Sequence, residues 1–213
     1  MGQVKVIGHP YSFFCWRVAC ALKIKGVDFE YLIEEPGKKS PLLLEHNPVY
    51  KLVPVLLHGG NPICESLVIL EYIDETWKEL NPILPQDPYE RASARFWAKF
   101  VDDKAWAAFS LQGEDREKAI DTALETLKVL EEQVEVKKLV GGEAIGHLDI
   151  AMGLIAFWLP VWEEATGTKL LKEETFPCLH AWAENFANHP LIKETLPPRD
   201  EMLEAFKKKF SGS

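Results

Sequence analysis

The first eighty residues switch repeatedly between a two-residue and a three-to-four-residue spacing of apolar positions. Gln3–Gly8 (QVKVIG) alternates polar and apolar and predicts a strand. Ser12–Lys25 carries apolar residues at helical spacing and stops at Gly26, a helix-ending residue. Phe29–Ile33 predicts a second strand. Ser40-Pro41 has the form of an N-cap followed by proline at the first helical position, opening a short helix through Glu45. Val53–His58, the turn Gly59-Gly60-Asn61 and Pro62-Ile63-Cys64 predict a β-hairpin, and a helix follows from Glu65 to about Trp77. The order is β-α-β-α-β-β-α. A strand–helix–strand unit makes a right-handed crossover and a parallel pair, and the hairpin then adds antiparallel strands. The expectation is a four-stranded mixed sheet with helices packed on it.

Residues 79–88 (ELNPILPQDP) contain Pro82, Pro85 and Pro88 and predict a linker. Beyond it no strand pattern competes. Pro88–Leu111, Asp115–Val136, Gly146–Glu164, Phe176–Asn188 and Arg199–Phe210 each predict a helix. The expected fold class is therefore α/β plus all-α, with a first domain over 1–78, the linker over 79–88 and an all-helical domain over 89–213. There is no internal repeat or low-complexity segment.

Composition narrows the function classes. The chain has 213 residues, 47% of them hydrophobic and 27% charged, as expected of a packed globular protein. Its net charge of −9 argues against a nucleic-acid or anionic-membrane partner. The longest apolar run, Ile150–Trp162, is interrupted by Gly153 and Pro160 and falls short of the roughly 20 residues of a bilayer span. The N-terminus shows no stretch of signal-peptide type. Cys15, Cys20, Cys64 and Cys178 lack metal-ligand spacing and are too few for a disulfide framework, so reduced thiols, a cytoplasmic location and no bound metal are expected. The charge is uneven. Residues 1–80 hold eight Lys/Arg against ten Asp/Glu, whereas the remainder holds sixteen against twenty-three. The second domain thus carries most of the acid.

Several positions carry candidate chemistry, each with a bland counterpart. Ser12 lies between the first strand and first helix, where α/β sheets bind ligands and where a helix N-terminus favours anions. It would equally serve as an N-cap. Arg17 on the same helix is open to an ion-pair role. Pro54 after Val53 is either a trans proline at an edge or a cis proline beside a ligand crevice. Glu65-Ser66, at the step from hairpin to helix, has the groups to hold an ammonium and a carboxylate. Gly146 and Asp149 have capping-box spacing in which only the Asp149 half can operate, and His147 between them is assigned to the surface. Trp106, Phe109, Trp158, Trp162, Phe206 and Phe210 form aromatic pairs on helix faces, either core or the wall of an apolar pocket.

The joint order of several segments is more specific than any of these alone. They are Lys39–Leu44 (KSPLLL), Asn47-Pro48-Val49 with Lys51, Val53–Leu56 (VPVL), Pro62–Ser66 (PICES), Glu71–Trp77 (EYIDETW), Asp87–Ala92 (DPYERA), Ala94–Trp97 (ARFW) and Gly146–Ala151 (GHLDIA). Across nearly the whole chain the sequence resembles the cytosolic glutathione transferases, more closely the plant tau class. The resemblance implies a thioredoxin-like first domain, an all-helical second domain and a homodimer. It implies glutathione as co-substrate, with no further cofactor, and conjugation to hydrophobic electrophiles or reduction of organic hydroperoxides. By this resemblance Ser12 stabilises the glutathione thiolate, and Val53, before a cis-Pro54, pairs with the cysteinyl backbone. Glu65 and Ser66 hold the γ-glutamyl end, Lys39 the glycine carboxylate, and Arg17 lies near the same site. Phe14, Trp106, Phe109, Trp158, Trp162, Phe206 and Phe210 are assigned to the hydrophobic-substrate side. Two positions depart from the pattern: Phe13 stands where many tau sequences have proline, and Leu52 where many have a second lysine. Two alternatives remain. One is a thiol–disulfide protein of the dehydroascorbate reductase or thioltransferase kind, for which Cys15 in Ser12-x-x-Cys15 is the available thiol. The other is a non-catalytic carrier of apolar ligands.

Overall fold

The computed structural model describes residues 2–110, 115–137 and 144–210, apart from the side chains of 105–110, 115–117 and 135–137. The chain divides into two compact units. The first comprises residues 1–84 together with 194–197, and the second residues 85–193 and 198–213. Each is described separately.

The first unit follows the predicted order. Its elements are β1 (Val4–Gly8), α1 (Phe13–Ile24), β2 (Glu30–Ile33), α2 (Pro41–His46), β3 (Val55–His58), β4 (Asn61–Cys64) and α3 (Ser66–Thr76). The strands lie in the order β2-β1-β3-β4, with β1 and β2 parallel and both pairs involving β3 antiparallel. The parallel pair follows from the α1 crossover, since two parallel strands cannot be joined by a tight turn.

Period-two alternation splits the sheet into two apolar faces. Ile7, Val55 and Leu57 pack with Leu43 of α2, and Leu32, Val53 and Cys64 border that cluster. Val6 and its cross-strand partner Leu56 point the other way and are fully buried, as are Val18 and Leu22 of α1 and Ile69, Leu70 and Ile73 of α3.

Beyond α3 the chain is held by one buried cation. Lys25, the C-cap of α1, donates to the carbonyls of Trp77 (3.1 Å) and Leu80 (2.5 Å) and pairs with Asp74 at 2.7 Å. Asp74 in turn accepts the N–H groups of Ile83 and Leu84. Burial alone would raise the Asp74 pKa, but these N–H bonds and Lys25 outweigh it and hold the carboxyl below its ordinary range. The proline-rich segment predicted as a linker is therefore ordered up to Leu84 by this clamp. The first unit also reclaims residues 194–197. Thr195 Oγ1 accepts the Trp16 indole N–H at 3.0 Å.

The second unit is helical. Its elements are α4 (Pro88–Ser110), α5 (Asp115–Lys137), α6 (His147–Gly153), α7 (Leu159–Thr166), α8 (Pro177–Asn188), α9 (Pro190–Thr195) and α10 (Arg199–Phe210). The division places the last two residues of α9 with the first unit. The helix expected over Gly146–Glu164 is not uniform: Leu154–Trp158 forms a π-helical turn between α6 and α7. Pro160 has no N–H to donate to the preceding turn, which favours such a local change in winding. The short α9 was not expected from the sequence; six residues carry too little periodicity to announce a helix.

Asp149 works as anticipated from the capping spacing. One carboxylate oxygen accepts the Gly146 N–H at 2.9 Å, and the other accepts the Trp182 indole N–H at 2.9 Å. His147 is a correction. The sequence places it at the surface, but it is 2% exposed, because the first turn of α6 faces inward. At α8, whose N-cap position is Phe176, Glu131 of α5 replaces a local cap. Its two oxygens accept the N–H groups of Cys178 and Leu179, both at 2.8 Å.

Candidate active site

Register brings four separate segments to one end of the sheet. β1 ends at Gly8, and the turn His9–Ser12 follows directly. Ile7 pairs with Val55 in the antiparallel ladder, so Val53-Pro54 lies just beyond the carboxyl end of β1. Val55 pairs with Cys64, which places Glu65 level with Pro54 on the opposite side. Ile33 pairs with Gly8, and the Glu34 N–H donates to the Gly8 carbonyl at 2.8 Å. Glu34 then accepts from both the N–H and the hydroxyl of Ser40, next to Lys39. Ser12, Val53, Glu65-Ser66 and Lys39 are thus gathered without any one motif containing them all.

Ser12 caps α1. Its Oγ accepts the Cys15 N–H at 3.4 Å, and its backbone is extended as an N-cap requires. Capping uses an oxygen lone pair and leaves the hydroxyl proton available. The bland and the functional readings of Ser12 are therefore compatible.

The Val53–Pro54 peptide is cis, and β3 begins only at Val55. The preceding loop is tied by Asn47, which is 3% exposed. Asn47 Nδ2 donates to the Leu52 carbonyl at 2.9 Å, and Asn47 Oδ1 accepts the Tyr50 N–H at 3.2 Å. Asn47 and Glu34 are positioning residues that sequence reasoning did not single out. Only the Asn-Pro-Val segment hinted at the first; nothing local marked the second. Leu52 itself is 59% exposed and offers no charge.

Glu65 holds a non-glycine backbone at φ 70° and ψ 114°, in a sparsely populated region that costs on the order of 1–3 kcal/mol. It occupies the N-cap position of α3 but makes no side-chain cap bond. The first-turn N–H groups of α3 thus point, without a side-chain cap, toward the end of the sheet where Val53 lies.

Arg17, which the resemblance places near the same site, is 0% exposed. Its Nη1 donates to Ser66 Oγ at 3.1 Å, and its guanidinium carbon lies 4.2 Å over the Phe13 ring and 5.3 Å over Phe14. Arg17 therefore acts on Ser66 directly. Phe13, the residue that replaces the expected proline, is the inner face of that cation–π contact.

The aromatic candidates divide. Trp158 and Trp162 are each 2% exposed and belong to the core of the helical unit, so neither forms a wall open to solvent. The π-helical turn ends at Trp158 and α7 carries Trp162, and both point inward. Phe206 and Phe210 are half-buried on α10, with rings 6.1 Å apart and nearly perpendicular. Phe14 is half-buried in the first unit. Trp106 and Phe109 lie in α4, but their side chains are outside the described residues.

The cysteines are free. Burial raises the thiol pKa of Cys15, and raises that of Cys20 to about 12. Cys64 is raised by burial and by the charge of Glu65. No helix among the described residues is long and apolar enough to cross a membrane.

Sequence comparison bears on the same geometry. A family model for the glutathione S-transferase N-terminal domain matches residues 2–75, and one for the C-terminal domain matches residues 96–190. The chain belongs to the glutathione S-transferase family. A probable glutathione S-transferase of Glycine max is 50% identical, covering 99% of this chain and 95% of the relative. Glutathione S-transferase U8 of Arabidopsis thaliana is 47% identical, covering 99% and 96%. Among solved structures, the tau class glutathione S-transferase of mango, Mangifera indica, superposes with a TM-score of 0.87. It is 43% identical and covers 97% of this chain and 98% of that one. A rice glutathione S-transferase in complex with glutathione gives a TM-score of 0.82 at 32% identity, covering 95% and 96%. The glutathione S-transferase fold expected from the sequence, a thioredoxin-like four-stranded sheet followed by a helical domain, is the fold observed. The likeness to the tau class is likewise that of its relatives.

Proposed function

We propose that this protein activates the thiol of glutathione at the sheet end described above and transfers it to hydrophobic electrophiles. The observation that carries this reading is the convergence of Ser12, Val53 and Glu65-Ser66 on one sheet end, beside an α3 N-terminus without a side-chain cap. A free thiol has a pKa near 8.5, so only a few per cent is thiolate at neutral pH. Ser12 donates its hydroxyl proton to the sulfur and favours the charged form. The Val53 backbone, preceding the β3 ladder, pairs with the cysteinyl amide of glutathione. Glu65 pairs with the γ-glutamyl ammonium, while Ser66 and the first-turn N–H groups of α3 receive its carboxylate. Arg17 holds Ser66 in place. Exposed Lys39 attracts the glycine carboxylate, and Leu52 leaves it without a second cation.

The thiolate then attacks the electrophilic carbon and its leaving group departs. Phe14, Phe206 and Phe210 are the half-buried aromatic candidates for the apolar substrate, with Trp106 and Phe109 kept from the sequence reading. Holding the two reactants in line supplies much of the remaining acceleration. We also propose that the protein works as a homodimer in an aqueous compartment. The sealed Cys15 speaks against a thiol–disulfide activity at this site.

Conjugation of a chloronitroaromatic, followed by absorbance at saturating glutathione, tests the reading. Turnover that collapses in Ser12→Ala is expected. Absence of turnover with every electrophile tried, or full activity of Ser12→Ala, would overturn it. Reduction of an organic hydroperoxide is measured in parallel, and light scattering reports the dimer.

A further inference from the structure

The turn that presents Ser12 is organised around one residue that the proposed chemistry does not use. β1 ends at Gly8, and half-buried His9 is the first residue beyond it. Pro10 follows and suits the second position of a β-turn, where its fixed φ is already correct. The turn closes on His9: the Ser12 N–H donates to the His9 carbonyl at 3.0 Å. The His9 N–H donates in turn to Cys15 Sγ of α1 at 3.4 Å. Pro10 has no N–H, so Tyr11 carries the remaining donor between His9 and Ser12. That N–H donates to His9 Nδ1 at 3.2 Å. The two rings meet edge-on, with centroids 5.4 Å apart. Asn and Asp commonly fill this position of a turn, bonding the N–H two residues on. Here an imidazole does the same.

That substitution has a consequence that Asn or Asp would not bring. A backbone N–H can only donate, so Nδ1 must accept, and the single proton of the neutral ring sits on Nε2. Imidazolium has two N–H groups and no acceptor. Protonated at Nδ1, the ring would turn an N–H against the Tyr11 N–H, and the bond would be replaced by repulsion between donors. We propose that His9 is a positioning residue for Ser12: its neutral imidazole holds the turn closed, and a proton on Nδ1 releases it. This rests on the role given to Ser12 above.

The surroundings keep the ring neutral. Burial lowers the His9 pKa. Among the described residues of the first unit, the titratable groups next to the turn are Tyr11, Cys15 of α1, Tyr31 of β2 and Glu34 just after β2. Burial raises the pKa of Cys15 and of Tyr31, so both stay protonated and uncharged through the range in which a histidine titrates. The Glu34 carboxylate is engaged by the N–H and hydroxyl of Ser40. The sign of the coupling follows. His9 takes up a proton more readily with the turn open, near the ordinary histidine value of about 6.5, than with it closed. The closed turn is therefore fully supported above that value and loses support as pH falls below it, down to the lowered value of the closed form.

The test compares the full-length protein with His9→Asn and His9→Ala in kcat/KM for conjugation between pH 5.5 and 8. Asn supplies an acceptor that does not titrate, and should match the parent at pH 8 within about twofold. At pH 5.5 it should exceed the parent by roughly two- to tenfold, the worth of one hydrogen bond, because the parent loses the turn as well as the thiolate. Ala has no acceptor and should fall roughly two- to tenfold below the parent at pH 8. Nitrogen-15 NMR of the histidine ring reads the tautomer directly and should show the proton on Nε2 at pH 8. It needs no variant, and with the Asn comparison it serves if His9→Ala does not fold. A packing role alone would make Asn no better than Ala at pH 8 and leave the parent and Asn profiles parallel; that result, or a proton on Nδ1 at pH 8, overturns the proposal. Turnover that depends on Ser12 with parallel profiles overturns this inference alone, whereas turnover indifferent to Ser12→Ala overturns the role of Ser12 and this inference with it.

Discussion

Replacing Ser12 by Ala and by Asp separates its two roles. Ala removes the cap and the proton donor together. Asp is as good an N-cap as Ser but, ionised, donates nothing. The cap bond is 3.4 Å, longer than the usual range, so its loss should cost about 0.5 kcal/mol, the low end for caps. For a chain of this length that is a fall in Tm of about 1–2 °C. The bond to the thiolate is to a charged acceptor and is worth about 1.5–3 kcal/mol. Its loss should raise the pKa of bound glutathione by about 1–2 units and lower kcat/KM at pH 6.5 by roughly 10- to 150-fold. Urea unfolding and stopped-flow conjugation across pH 5.5–9 read the two effects independently. Ser12→Ala should lose both; Ser12→Asp should keep the parent's stability and lose turnover. If Ser12→Asp conjugates within about twofold of the parent, the hydroxyl is only a cap and the thiolate assignment is wrong.

Three further outcomes follow from the same geometry. Lys25→Met removes the cation shared by Trp77, Leu80 and Asp74, leaving a buried carboxylate with no ammonium partner. Unfolding free energy should drop by about 3–5 kcal/mol by denaturant titration, and a loss below about 1 kcal/mol would discredit the clamp. Because Asp74 is held below its ordinary pKa, its contribution is present above about pH 4 and disappears as pH falls through the lowered value. Urea midpoints from pH 6 to 2.5 should therefore fall less steeply in Asp74→Asn than in the parent. Arg17→Met should raise the glutathione KM about tenfold with kcat nearly unchanged, since it removes a charged donor from Ser66 worth about 1.5 kcal/mol. A purely kcat effect would place Arg17 elsewhere in the mechanism.

The strands and helices of the first unit were legible because each carries its own period and its own stop, such as Gly26 after α1 and Ser40-Pro41 before α2. The sheet order followed from chain order and crossover handedness. Geometry that depends on distant partners was not legible. Glu34 and Asn47 look like ordinary polar loop residues until register brings Ser40 and Leu52 to them. Arg17 and the tryptophans show the opposite failure. Residue type and helical spacing say which face a side chain occupies, but not whether that face is sealed, and both Trp158 and Arg17 proved to be. His147 failed for the same reason. The Glu65 backbone, at positive φ without being glycine, had no signal in composition at all.

The segment 194–197 has a consequence for synthesis on the ribosome. All four strands and α1–α3 lie within the first 84 residues, yet the Trp16 indole finds its Thr195 acceptor more than a hundred residues later. The domain that carries Ser12 therefore leaves the ribosome with part of its surface still missing. It is completed only after nearly all of the helical unit has been made, so a contact of very long sequence separation closes the fold of the first domain last.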